Sequence, residues 1–112
     1  MNVEELREYC LSLSEEVIEK FPFQQFKAAC NILAFYIGGH IFCYFDINDP
    51  RHVTVKCNCD DIPSLLEQYD CLGRPYNGNA KHWISINATR AEPMLTQRLI
   101  ANSFHLIQQR KQ

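Results

Sequence analysis

A chain of 112 residues, 46% hydrophobic and 21% charged, has the size and balance of one globular domain, which excludes a disordered or fibrous segment. A net charge of −2 with a pI near 6.0 excludes a protein that coats nucleic acid through bulk charge. A domain of this size buries roughly 65% of the surface its unfolded chain exposes, enough to fold without disulfides or a structural metal despite six cysteines.

Charge is unevenly placed. Residues 1–20 carry a net −4, residues 21–70 a net −3, and residues 71–112 a net +5 from Arg74, Lys81, Arg90, Arg98, Arg110 and Lys111 against Glu92. An anionic partner is therefore expected on the C-terminal side. Glutamates in the first ten residues argue against a secretory leader, and no apolar run reaches the roughly 18 residues of a membrane span. The expectation is a cytoplasmic protein with reduced thiols and no membrane contact. With no repeat, linker or low-complexity tract, residues 1–112 read as a single domain.

Asn2 is placed to cap a first helix with Glu5 reaching back, and Val3, Leu6, Cys10, Leu13 and Val17 fall on one stripe. That helix is expected to end by Phe21-Pro22-Phe23. Two strands follow, Ile32 to Ile37 and His40 to Ile47, joined by Gly38-Gly39 in a tight turn. A two-residue turn with regular pairing sets Phe35 opposite Phe42 and Leu33 opposite Tyr44, and leaves Ile32, Ala34, Tyr36, Ile41, Cys43 and Phe45 on the other face. Both faces are then apolar, so helices should cover one and further protein or a partner the other.

Arg51 to Cys57 alternates as a third strand. Asp60 or Asp61 is expected to cap a second helix with Pro63 in its first turn, with Leu65, Leu66 and Tyr69 buried and Gly73 as its stop. Arg74-Pro75-Tyr76 and His82 to Asn87 flank a turn-rich stretch containing Asn77-Gly78 and read as a second hairpin. Pro93 opens a last helix with Leu95, Leu99, Ile100, Phe104, Leu106 and Ile107 on one face and Arg98 and His105 opposite. The order helix, three strands, helix, two strands, helix predicts a two-layer α+β domain with an antiparallel sheet.

Several segments together resemble the MmcQ/YjbR family of small bacterial proteins: Met1 to Leu13, Phe21-Pro22-Phe23, Ile37-Gly38-Gly39, Val55-Lys56-Cys57, Arg74-Pro75-Tyr76 and Lys81-His82-Trp83. The resemblance implies a secretion-chaperone-like α+β fold and a DNA-binding role attributed to a double-wing shape. The sequence departs from the family pattern at Ser14-Glu15-Glu16, where a proline and glycine are usual, and at residues 24–31, which hold no acid and no glycine where the family often has them.

Lys81-His82-Trp83 is the foremost candidate site, because a lysine can hold a phosphate while an indole stacks on a base. Alternation places Lys81, Trp83 and Ser85 on one face and His82, Ile84 and Ile86 on the other. Lys56, Arg74 and Arg98 are further candidate phosphate contacts; against this, Trp83 could equally be packed under a neighbouring element. Cys57-Asn58-Cys59 with Cys71 is a weak metal pattern, since structural zinc sites bring two well-spaced pairs. No cofactor fingerprint or catalytic motif is readable, and a Cys43 nucleophile with His40 or His52 is expected by chance in such a composition. Two functions remain: a non-enzymatic DNA-binding domain that meets the backbone through the second hairpin and the basic last helix, or an interaction module or homodimeric chaperone-like adaptor that pairs with a protein or itself through one aromatic face of the first hairpin, either Phe35, Phe42 and Tyr44 or Tyr36 and Phe45.

Overall fold

The computed structural model describes residues 1–75 and 79–109. Its first helix, α1 (Val3–Ser12), begins where the sequence supplies a cap: the Glu5 N–H donates to Asn2 Oδ1 (2.8 Å) and the Asn2 N–H to Glu5 Oε1 (2.9 Å). Leu6 and Cys10 point into the core and are fully buried. The helix stops well before Phe21. Ser14 makes its own turn, accepting the Glu16 N–H on Oγ (3.1 Å) and the Val17 N–H on its carbonyl (3.3 Å), which diverts the backbone from helical bonding. Ile18–Lys20 then forms a strand, β1, where a helical stripe was expected. Arg7 of α1 grips Glu19 of β1 with two bonds of 2.7 and 2.5 Å, a solvent-screened pair that orients the strand.

A single 3-10 turn (Lys27–Ala29) leads into β2 (Ile32–Ile37) and β3 (His40–Asp46). Gly38 (φ 60°) and Gly39 (φ 83°) make the turn; a side chain at Gly39 would meet open space, so the requirement is backbone conformation and not room. The expected register holds only beside the turn, where Ile37 faces His40 and Tyr36 faces Ile41. It then shifts by one: Phe35 pairs with Cys43, Ala34 with Tyr44 and Leu33 with Phe45, leaving Phe42 as the extra residue of a β-bulge. Phe42 and Cys43 are consecutive and both fully buried, and Phe45 joins them. The regular pairing of Phe35 with Phe42 and Leu33 with Tyr44 is thus corrected, and Tyr44 passes to the face opposite the core.

A bulge leaves ladder groups without partners, and Ser103 of the last helix supplies them. Its buried hydroxyl donates to the Phe42 carbonyl (2.5 Å) and accepts the Lys56 N–H (2.9 Å), splicing β3 to β4. The Phe42 ring meets Phe104 edge-on at 5.4 Å and Phe35 at 6.5 Å, while Phe35 stacks on Phe45 at 5.7 Å. Burial pushes the Cys43 thiol well above its ordinary range, so it stays protonated beside Cys10 and packs as a small apolar group.

Strand β4 (Asp49–Lys56) begins two residues before the expected start, after an Ile47-Asn48 tip in which the Asn48 N–H donates to Asp46 Oδ1 (2.8 Å). Helix α2 (Ile62–Gln68) carries Pro63 in its first turn, but no aspartate side chain caps it. Asn58 prepares the entry instead, accepting the Asp60 N–H on Oδ1 and the Asp61 N–H on its carbonyl, both at 3.0 Å. Nor does α2 run to Gly73: Tyr69 is extended, and Leu72–Gly73 forms β5, paired with β6 (Trp83–Ile86) as Leu72 to Ile86 and Gly73 to Ser85. The expected Asn77-Gly78 tip, together with Tyr76, lies outside the described residues, as do Arg110 and Lys111.

Helix α3 (Pro93–Gln109) follows the expected stripe, with Leu99, Ile100, Phe104 and Ile107 buried, and adds Thr96 and Ser103 to it. The described residues form an α+β domain of three α-helices and a six-stranded antiparallel sheet in the order β1-β2-β3-β4-β6-β5. Strand alternation puts Leu33, Phe35, Val53, Val55, Ile84 and Ile86 on the inner face, in one core with α1 and α3.

Replacing Ser103 with alanine leaves a carbonyl and an N–H unpaired in the interior, and we expect a loss of about 2–4 kcal/mol in urea denaturation. An unchanged midpoint would mean that other groups satisfy the splice. At the β4 entrance, Arg51 holds the Asp49 carboxyl down to about 2 through a side-chain hydrogen bond and its backbone N–H. Because the folded value is depressed, any stability it contributes is present above the ordinary aspartate value near about 3.9 and is lost as pH falls towards the folded value. Carboxyl NMR titration should find a midpoint near about 2 that returns to the ordinary aspartate range in Arg51→Ala.

Candidate nucleic-acid interface

The same alternation that fills the core defines an outer face. Ile18 and Lys20 of β1, Tyr36 of β2, Ile41 and Tyr44 of β3, Thr54 and Lys56 of β4, and Trp83 and Ser85 of β6 are in register across five strands. None of these residues belongs to the core cluster or packs against it. Helices α1 and α3 cover the other face; α2 adds Ile62 to the core and borders the outer face, where Ile62, Pro63 and Leu66 line a groove with Trp83. Thr54 and Ser85 on this face are buried, at 3% and 5% exposure. Ile18, at 54%, is the most open apolar group of this face.

Its centre is an aromatic pair. The Tyr44 and Trp83 rings lie 6.1 Å apart, tilted by 53°, diagonally across β4. Burial pushes the Tyr44 phenol above its ordinary value, and a hydrogen bond with Thr54 partly offsets this. Trp83 is half-buried on its outer flank and lies outside the core. Lys20 sits over the Tyr36 ring at 5.2 Å, and Lys56 is directly opposite Trp83 in the ladder.

Arg74 and Lys81 complete the cationic side. With Cys59, Leu66, Gly73 and Trp83 they line a groove of about 570 Å³ between α2 and the end of the sheet. Neither belongs to the two ion pairs among the described residues, Arg7–Glu19 and Arg51–Asp49. Lys81 precedes β6, and its N–H is held by Asn79 Oδ1 at 3.0 Å, so it reaches the groove from a turn and not from strand alternation. His82 leaves the core to Ile84 and Ile86; it is half-buried, and its carbonyl accepts the Cys57 N–H (2.8 Å).

Of the five candidate contacts, Lys56, Arg74, Lys81 and Trp83 therefore lie on or beside the outer face. Arg98 does not. It projects from α3 into recesses on the helix side, lined by Cys57, Ser64 and Leu65 in one and by Tyr9 and Tyr69 in the other. The aromatic candidates divide as well: Phe35 and Phe42 are core residues at 0% exposure and cannot meet a partner, whereas Tyr44 can. Of the alternative aromatic pair, Tyr36 lies on the outer face while Phe45 is buried in the core; Lys20 and Ile41 were not singled out by sequence. Cys57 is buried, with its thiol pushed up chiefly by burial, while Cys59 is exposed; among the described residues no group of three His, Cys, Asp or Glu is placed to hold a metal.

Residues 11–106 match the YjbR family model, and the chain belongs to that family. A crystal structure of the Deinococcus radiodurans protein DR2400, with its DUF419 domain, is similar at a TM-score of 0.83 and 22% identity, covering 95% of this chain and 78% of that one. A Pseudomonas syringae protein is similar at a TM-score of 0.80 and 17% identity, covering 96% and 99%. At these identities the likeness is one of fold. No curated protein matches the sequence.

Proposed function

We propose that this member of the YjbR family binds DNA, without catalysing a reaction, through the outer face of its sheet. The observation that carries the reading is the set of outer-face rings with cations around them: Tyr36, Tyr44 and Trp83 offer π-faces to bases, and Lys20, Lys56, Arg74 and Lys81 surround them. Asp46 of β3 is paired in the ladder with Asp49 of β4, whose carboxylate is held by Arg51, and the glutamates of α1 belong to a helix on the opposite face. The local excess of positive charge thus opposes the chain's overall −2. Four cations set a modest affinity that falls with salt, because most of the binding free energy comes from counterion release.

Two substitutions test this. Lys81→Ala removes an exposed charge and should leave stability within about 0.5 kcal/mol, while the slope of log affinity against log salt drops by about 0.7–0.9. Trp83→Ala should cost about 1–3 kcal/mol of binding to single-stranded DNA with the fold retained. Arg98→Ala, on the helix side, should leave binding unchanged. If Lys81→Ala binds DNA with the parental affinity and salt slope, the reading fails.

The exposure of Ile18 beside Tyr36 favours a second reading, in which a protein or a second copy covers the same face. Sedimentation of the free chain separates the two: a dimer that persists at high salt and dissociates in Ile18→Asp and Tyr44→Asp would support it, and a monomer would favour DNA.

A further inference from the structure

The helix side of the molecule holds the largest of its described cavities, about 690 Å³, and nothing in the DNA-binding reading uses it. Tyr9 of α1, Tyr69 after α2, and Leu95 on α3 form its apolar and aromatic wall. Arg90 and Arg98 enter it from the approach and the second turn of α3. Both arginines are exposed, and neither belongs to an ion pair among the described residues. Glu92 also lines the cavity, so its local charge is a net positive one.

We propose that this cavity binds a small organic oxyanion carried on a flat ring, an aryl carboxylate or aryl phosphate. The volume lies within the roughly 300–1,000 Å³ typical of small-molecule sites. Guanidinium groups present planar pairs of N–H donors that match carboxylate and phosphate oxygens, and Arg90 and Arg98 both line this cavity. The tyrosine rings and Leu95 offer the ring an apolar bed. Burial raises the Tyr9 phenol above its ordinary value, so its hydroxyl remains a donor at neutral pH. The site is separated from the outer face by the sheet itself, since Tyr9 and α3 belong to the opposite layer.

The test is titration of the isotopically labelled full chain with phenyl phosphate and with benzoate, in separate arms at constant ionic strength, followed by amide NMR. Saturable shifts are expected at residues 9, 69 and 90–98 and not at Lys56 or Trp83, with a Kd in the range of about 1 mM or tighter. The arm with the lower Kd identifies the anionic group. Arg90→Gln and Arg98→Gln should each weaken binding about tenfold, which corresponds to about 1.4 kcal/mol, and the double variant should abolish it. Inorganic phosphate should bind more weakly than phenyl phosphate. If a glutamine variant loses the fold, Arg90→Lys and Arg98→Lys, which keep the charge and lose the fork, should still weaken binding. No saturable shift in either arm, saturation that survives in the double variant, or inorganic phosphate binding as tightly as phenyl phosphate would each overturn the proposal.

Discussion

The buried hydroxyl of Ser103 is the group on which the division of the sheet into two faces turns. By bonding both the Phe42 carbonyl and the Lys56 N–H, it makes the bulge at Phe42 tolerable in a fully buried layer. The energetics favour this arrangement. Burying a phenylalanine is worth about 1.5–3 kcal/mol, and ladder bonds broken by the bulge cost about 0.5–1.5 kcal/mol each unless another group replaces them. With the hydroxyl in place, the ring of Phe42 reaches Phe104 while the Phe42 carbonyl and the Lys56 N–H keep a hydrogen-bond partner. The consequence extends along β3: every residue after the bulge changes face relative to a regular hairpin, sending Cys43 and Phe45 inward and Tyr44 outward.

That reversal also decides what the outer face can do. In a regular hairpin Tyr44 would share the face of Phe35, and Trp83 would stand alone on β6. With the bulge, Tyr44 meets Trp83 across β4, and the buried Thr54 and Ser85 lie on the same face. The face therefore presents a few rings over small polar residues, in a composition suited to stacking and to contact with cations at its margin.

Much of this was legible from local chemistry. The Asn2 and Glu5 capping box, the paired glycines at positive φ and the apolar stripe of α3 each depend on residues within a turn or two of one another, and each appeared where expected. What was not legible depended on partners distant in sequence. The bulge needs Ser103, 61 residues from Phe42, and the sequence around Phe42 carries no mark of it. Strand β1 exists because Ile18 to Lys20 find β2, and the early end of α2 follows from Leu72 and Gly73 finding β6. Pairing across the sheet overrode local propensity in both places.

The basic C-terminal third shows the same limit in the electrostatics. As a segment it has a net charge of +5, which suggests one patch. Folding splits the described part of it: Arg74 and Lys81 flank the groove beside Trp83, whereas Arg90 and Arg98 line the cavity behind Tyr9 and Tyr69. The division follows from topology, since β6 carries the chain through the sheet between them and α3 returns on the inner layer. At an ionic strength of 0.15 M the screening length is about 8 Å, so charges on opposite faces of a packed sheet and helix layer act as separate local fields. Each pair acts within the surface immediately around it: rings and further lysines on one side, and an open recess with Tyr9, Tyr69, Leu95 and one glutamate on the other.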